Sequence, residues 1–153
     1  MRGNVKKPWA YQRKAAAIVV LLAAVLLGLI LLRWYGAGAS NYDLSTTEGR
    51  QAFLLELGWE IDTDTEEFRT VVVPEKLEGI MSQYNRMQQA QGYDLNEHLG
   101  ESCQQYSYQL TNYPDSDSPV FVTLYIQDGK LIAGDIHTNA LNGFMHGLKR
   151  ISK

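Results

Sequence analysis

The chain has a single cysteine, Cys103, so no internal disulfide can form and the fold must be held by its core; only a bond to a second copy remains open to that thiol. Histidine is almost as scarce. His98, His137 and His146 are too scattered for a zinc site, and neither a Cys-x-x-Cys nor a His-x-x-x-His pair occurs. From Ser40 onward basic residues are few, 8 Lys and Arg against 17 Asp and Glu, a formal charge of −9. A nucleic-acid partner needs the opposite sign on the folded part, and that class is set aside. There is no internal repeat and no low-complexity tract.

What the chain does have is one uninterrupted apolar run, Ala15–Leu32, with no charge and no proline. Its 18 residues would reach about 27 Å as a helix, close to the ~30 Å hydrocarbon core of a bilayer. Twelve of them are Leu, Ile or Val, and together these favour insertion by roughly 4 to 7 kcal/mol. Arg2, Lys6, Lys7, Arg13 and Lys14 precede the run and only Arg33 follows closely, so the expected topology has the N-terminus in the cytoplasm and the C-terminal part outside. Trp9 and Tyr11 on one side, and Trp34 and Tyr35 on the other, suit interfacial belts. Ala37-Gly38-Ala39 resembles a signal-peptidase site, but the apolar core is longer than the usual about 7–15 residues, which favours an uncleaved anchor. The expected organisation is a basic cytoplasmic tail (1–14), a transmembrane signal anchor (15–35), a short linker (36–46) and one extracytoplasmic domain (47–153), with the bilayer as partner through Ala15–Leu32.

The domain reads as α+β, in the order α-β-β-α-β-β-β-α, an antiparallel sheet of about five strands with helices packed on it. A first helix spans 47–57, with Ser45 and Glu48 as a capping box and Gly58 as its stop. Two extended pieces, 59–62 and 67–73, flank the acidic turn Thr63-Asp64-Thr65, and Pro74 ends the second. Pro74 and Gly92 bracket a second helix with Leu77, Ile80, Met81, Tyr84 and Met87 as its buried stripe. Strands follow at 102–111, 120–127 and 130–137, the last two joined by an Asp128-Gly129 hairpin turn. Regular pairing across that turn sets Val120, Val122, Leu124, Ile126, Leu131 and Ala133 on one face, with Asp135 and His137 at its far end. Leu141, Phe144, Met145, Leu148 and Ile151 then fall at helical spacing, against which Gly143 and Gly147 weigh.

Cys103, Asp135 and His137 are the residues that could serve as nucleophile, orienter and base, since a thiol needs an imidazole to ionise at neutral pH and the imidazole a carboxylate to fix its tautomer. No glycine-rich elbow follows Cys103 to supply an oxyanion hole, so the bland reading is a buried thiol among strand residues. Asp62, Asp64 and Glu66 could contribute to a calcium site, which wants about six to eight oxygens. They lack the glycine and distal glutamate of an EF-hand loop, and solvated turns are the simpler account. Arg86, Gln89 and Tyr93 stand in an amide- and aromatic-rich stretch that suits a recognition surface or a solvated helix face. No cofactor is expected.

LELGWEI (55–61), VVVP (71–74), YNRMQQAQGYDL (84–95), YSYQLTNYP (106–114), GDI (134–136) and GFMHGL (143–148), in this order and spacing, resemble an uncharacterised family of small single-pass membrane proteins from Clostridia-like Gram-positive bacteria. The resemblance covers Thr47 to Leu148. It implies a location at a Gram-positive cell surface or in the space beneath the wall, and carries no activity and no catalytic residue. The functional expectation is a non-enzymatic, membrane-anchored module that binds a protein or cell-envelope partner. The alternatives are a thiol hydrolase or transferase built on Cys103, and a peptidase-regulatory or ligand-sensing module.

Overall fold

A computed structural model describes residues 42–150. The basic tail, the apolar segment expected to span a membrane, most of the linker and Ile151 lie outside the described residues. Among the described residues no helix is long and apolar enough to cross a membrane. The elements run α1 (Thr47–Glu56), β1 (Ile61–Val72), α2 (Ile80–Gln89), a 3-10 turn (Leu95–His98), β2 (Ser102–Leu110), β3 (Val120–Gln127), β4 (Lys130–Thr138) and β5 (Met145–His146). The strands form one antiparallel sheet in the order β1-β2-β3-β4-β5, so the α+β class holds.

Helix α1 starts one residue later than a Ser45 cap would set it. The hydroxyl of Thr46 accepts from Gly49 N at 3.0 Å, while Ser45 turns back to Asp43. Gly58, at φ +85°, ends the helix as expected, a conformation that favours glycine. The two extended pieces are one strand, β1, interrupted by a bulge between Asp62 and Glu67. Asp62 and Thr65 close that bulge on themselves: Asp62 Oδ1 accepts from Asp64 N at 3.1 Å, and Thr65 Oγ1 donates to Asp62 O at 2.7 Å.

Helix α2 begins at Ile80 and not beside Pro74. Val73 still pairs with Glu101, donating its N–H to Glu101 O at 2.9 Å. Residues 74–79 therefore carry the chain from the sheet edge to the helix layer above. The expected apolar stripe is also corrected. Ile80 is 82 % exposed, and the buried residues of α2 are the amides Asn85 and Gln88. Among the described residues the expected C-terminal helix is absent. Residues 139–150 form a loop with the two-residue strand β5, and Leu141 and Met145 are exposed while Leu148 enters the core. Tertiary hydrogen bonds override the helical spacing: Thr138 N donates to Phe144 O at 3.2 Å, and Trp59 Nε1 donates to Leu148 O at 2.6 Å.

The Asp128-Gly129 turn forms as its sequence demands, with both residues at positive φ (+50° and +73°). Its register is irregular. Tyr125 faces Ala133 but Ile126 faces Leu131, so Ile132 is an extra residue. Because side chains alternate with period two, one inserted residue moves everything beyond it to the other face. Ala133, Asp135 and His137 thus lie with Phe121, Thr123 and Tyr125, opposite the Val120–Val122–Leu124–Ile126 face on which regular pairing sets them. That first face packs with Leu44, Leu54, Trp59, Tyr108, Ile136 and Leu148 into the main core; Val73, Leu95, Cys103, Ile132 and Ala133 form a smaller cluster on the second face.

One charge is set deep in the main core. Arg50 is 2 % exposed; its Nε donates to Tyr108 Oη at 2.6 Å, Nη1 to Leu44 O and Ser45 O, and Nη2 to Thr47 Oγ1 and to Glu66 Oε2 at 2.9 Å. Its guanidinium lies 3.6 Å above the Tyr106 ring. Tyr108 also donates to Glu66. Burial acts to raise the Glu66 pKa, but the hydrogen bonds from Tyr108 and Arg50 outweigh it and hold the carboxyl below its ordinary range. Arg50→Ala strips the Glu66 carboxylate and four carbonyl or hydroxyl oxygens of a donor at once. Since the Glu66 side chain keeps 29 % of its exposure, urea unfolding should show a loss of about 2–3 kcal/mol, somewhat less than the roughly 3–5 kcal/mol for breaking a fully buried pair. Arg50→Lys, lacking the planar fork, should recover only part of it.

Candidate functional site

The second face of the sheet is only partly covered, and a groove of about 880 Å³ opens there between α2 and the strands. Its size is that of a ligand cleft, about 300–1,000 Å³. Ile80, Met81, Tyr84 and Met87 of α2 supply the wall, and Arg69, Gln105, Ser107, Phe121, Thr123 and His137 are on the floor.

Helix α2 is placed by polar contacts. The edge of β4 is free at Gly134, and the Gln88 side chain fills it as a second strand would: Gln88 Nε2 donates to Gly134 O and Gly134 N donates to Gln88 Oε1, both at 3.0 Å. A Cβ at Gly134 would come within 2.7 Å of Leu148 Cδ1, so only glycine lets the C-terminal loop close over β4. The far end of α2 is tied to the 3-10 turn. Asp94 accepts from Asn85 Nδ2 at 2.8 Å, Asn96 N at 2.9 Å and Gln89 Nε2 at 2.9 Å, and Asn85 Oδ1 accepts from Leu95 N. The Asn85 bond, then those from Asn96 and Gln89, hold the Asp94 carboxyl far below its usual range.

The floor is polar and internally paired. Arg69 Nε donates to Gln105 Oε1 at 2.8 Å, and the Ser107 and Thr123 hydroxyls meet at 3.2 Å. Asp135 is 2 % exposed and both its oxygens are used: Tyr84 Oη donates to Oδ2 at 2.7 Å, and His137 Nδ1 lies 2.9 Å from Oδ1. A carboxylate can only accept, so it fixes the hydrogen on Nδ1 and leaves Nε2 of the neutral ring as an acceptor. Phe121 stacks on the His137 ring at 6.0 Å. Burial first, then the nearby Asp135 charge, raises the Tyr84 phenol well above its ordinary value and pushes Tyr125 up to about 12. Both phenols therefore stay protonated near neutrality, and Tyr84 remains a donor to Asp135.

Asp135 and His137 are together, as the sequence pairs them. Cys103 is not with them. The β2–β3–β4 register sets it six positions from His137 along the strands, about 20 Å at 3.3–3.4 Å per residue. It is 1 % exposed, and burial pushes its thiol pKa up, away from thiolate. Asp62 and Asp64 stay in the β1 bulge, and Glu66 turns to Arg50. Among the described residues no three His, Cys, Asp or Glu side chains converge to hold a metal. Arg86 Nη1 donates to Ser82 on the outer face of α2, Gln89 goes to Asp94, and Tyr93 packs half-buried beside the main core, so none of the three lines the groove. Helical spacing puts Tyr84 on the stripe that becomes the wall, whereas Arg69, Gln105, Ser107 and Thr123 carry no sequence signal that marks them as floor residues beyond the alternation of β2, which sets Gln105 and Ser107 on one face.

One family model matches the chain, the domain of unknown function DUF4830, over residues 53–136. This meets the resemblance to an uncharacterised family at the level of the domain. No curated protein and no solved structure matches.

Two outcomes follow from these contacts. In the native protein at pH 7–8, Cys103 should resist iodoacetamide and become labelled only on unfolding, read by mass spectrometry; labelling as fast as a free thiol would contradict its burial. Asp94 is held below its unfolded value near 3.8, so its stabilisation is present above that value and lost as pH falls through the lower folded pKa. Asp94→Asn should thus melt below the wild type at neutral pH, with the gap closing only under strong acid.

Proposed function

We propose that this chain, which belongs to the DUF4830 family, is a membrane-anchored binding module that holds a segment of a protein or cell-envelope partner in the groove beside α2. The observation that carries the reading is the groove's construction. A wall of Ile80, Met81, Tyr84 and Met87, with Ile80 82 % exposed, stands over a floor whose polar groups are largely paired among themselves. An apolar side chain laid on the wall removes unfavourable surface from water, and a floor that is pre-paired costs little to approach. Among the floor groups, His137 keeps its Nε2 clear of the Asp135 bond, an acceptor suited to an amide N–H or hydroxyl of the bound segment.

The anchor is supported by the apolar run Ala15–Leu32 and the basic residues before it, and a working place outside the cytoplasm by that charge asymmetry. Binding without chemistry is preferred over a thiol enzyme because about 20 Å along the strands separates Cys103 from His137.

The test uses the full chain in its native membrane, with a photo-cross-linking residue at Ile80 or Met87 of the groove wall, and at exposed Glu48 of α1 as comparison. A discrete adduct from positions 80 and 87 that is absent from 48, and that weakens with His137→Ala, is the expected result. Equal labelling at all three positions, or none at the wall, would overturn the reading.

A further inference from the structure

The sheet has two edges of unequal kind. β5 is two residues long, whereas β1 runs for twelve and pairs only with β2. The first part of β1 is blunted by the bulge between Asp62 and Glu67; from Glu67↔Ser107 to Val72↔Ser102 the ladder is continuous. An outer edge of this kind presents a row of backbone donors and acceptors to a further strand.

The side chains on that edge alternate. Glu67 and Arg69 are exposed on the groove side, paired with Ser107 and Gln105, and Phe68 lies on the opposite face beside Tyr106, ring centroids 5.1 Å apart, while remaining 57 % exposed. This pattern complements itself. If a second β1 is laid antiparallel with the two-fold axis on Phe68, each Glu67 stands opposite the other copy's Arg69, twice over, and the two Phe68 rings meet. Moving the axis to either neighbour sets Glu67 against Glu67 or Arg69 against Arg69. Like charges directly opposite are destabilising and unlike charges stabilising, so the charge order selects one register. Faces are preserved in it, and the two grooves open on the same side of one continuous sheet.

We infer that the β1 edge is the contact between two copies of this chain, an isologous strand pairing centred on Phe68. Its occupant is a second copy and not a foreign strand, because Glu67 and Arg69 supply both halves of the charge match.

The full 153-residue chain, held in detergent micelles, tests it by oxidative cross-linking. Phe68→Cys should form a covalent dimer readily, since residues facing themselves across the axis bring their Cβ atoms within reach of a disulfide. Val72→Cys, equally exposed but off the axis, should not, and buried Cys103 leaves the wild type monomeric on the gel. Adding Glu67→Arg or Arg69→Glu to Phe68→Cys should slow dimer formation about tenfold each, and adding both should restore it. Restoration by the double reversal identifies edge pairing, because an association through apolar side chains does not depend on the order of these two charges. Cross-linking of Val72→Cys as fast as Phe68→Cys, single charge reversals without effect, or a double reversal that fails to restore would each overturn the inference. Retained monomer by sedimentation for both the wild type and the doubly reversed chain, with unchanged circular dichroism, would overturn it as well.

Discussion

The Arg50 guanidinium is the constraint on which the main face of the sheet depends. It sits at the centre of the layer between α1 and the strands, and five of its contacts are hydrogen bonds to groups from the segment before α1, from α1 itself, from β1 and from β2. A buried cation is costly unless every donor is used, so once it is in place each of those segments has one permitted position. Glu66 is delivered to it by the β1 bulge, which leaves the strand's even alternation to do so. The bulge thus serves the core on one side and shortens the flat edge of β1 on the other.

The second face is organised by a different device. Its helix is held less by apolar packing than by amides: Gln88 pairs with the Gly134 backbone, Gln91 reaches Gly134 O and Leu148 N, and Asn85 is locked to the turn through Asp94. Such contacts set direction and distance without burying much side chain, so the helix stands over one side of the sheet and leaves the rest as a groove. The Tyr84 side chain crosses to the floor and ends on Asp135. Through Asp135 the helix is mechanically connected to the His137 ring.

Much of the fold is legible in the sequence because local rules govern it. The Asp128-Gly129 turn, the stop at Gly58, the alternation of β2 and the five-strand α+β class all follow from backbone preferences and period-two patterning. Two errors offset each other in the strand count: β1 is one strand where two are read, and β5 replaces a helix. Leu141, Phe144, Met145 and Leu148 have helical spacing, yet spacing alone does not outweigh a free β4 edge waiting beside them. Asp135 and His137 are paired correctly on sequence grounds, being two apart on a strand, but their face is not, since a single extra residue at Ile132 reverses it.

By itself, the sequence determined the apolar run and its basic flank, the charge of the folded part, the absence of a disulfide framework and the order of most elements. These depend on composition and on neighbours a few residues apart. Only the tertiary structure decided that Cys103 is sealed far from His137, that Glu66 pairs with Arg50, and that the groove floor is drawn from β1, β2, β3 and β4 together. Those outcomes hinge on strand register and on bulges, where one residue's displacement exchanges the two faces of a sheet. Alternation along a strand is blind to such a displacement until the partner strand is in place.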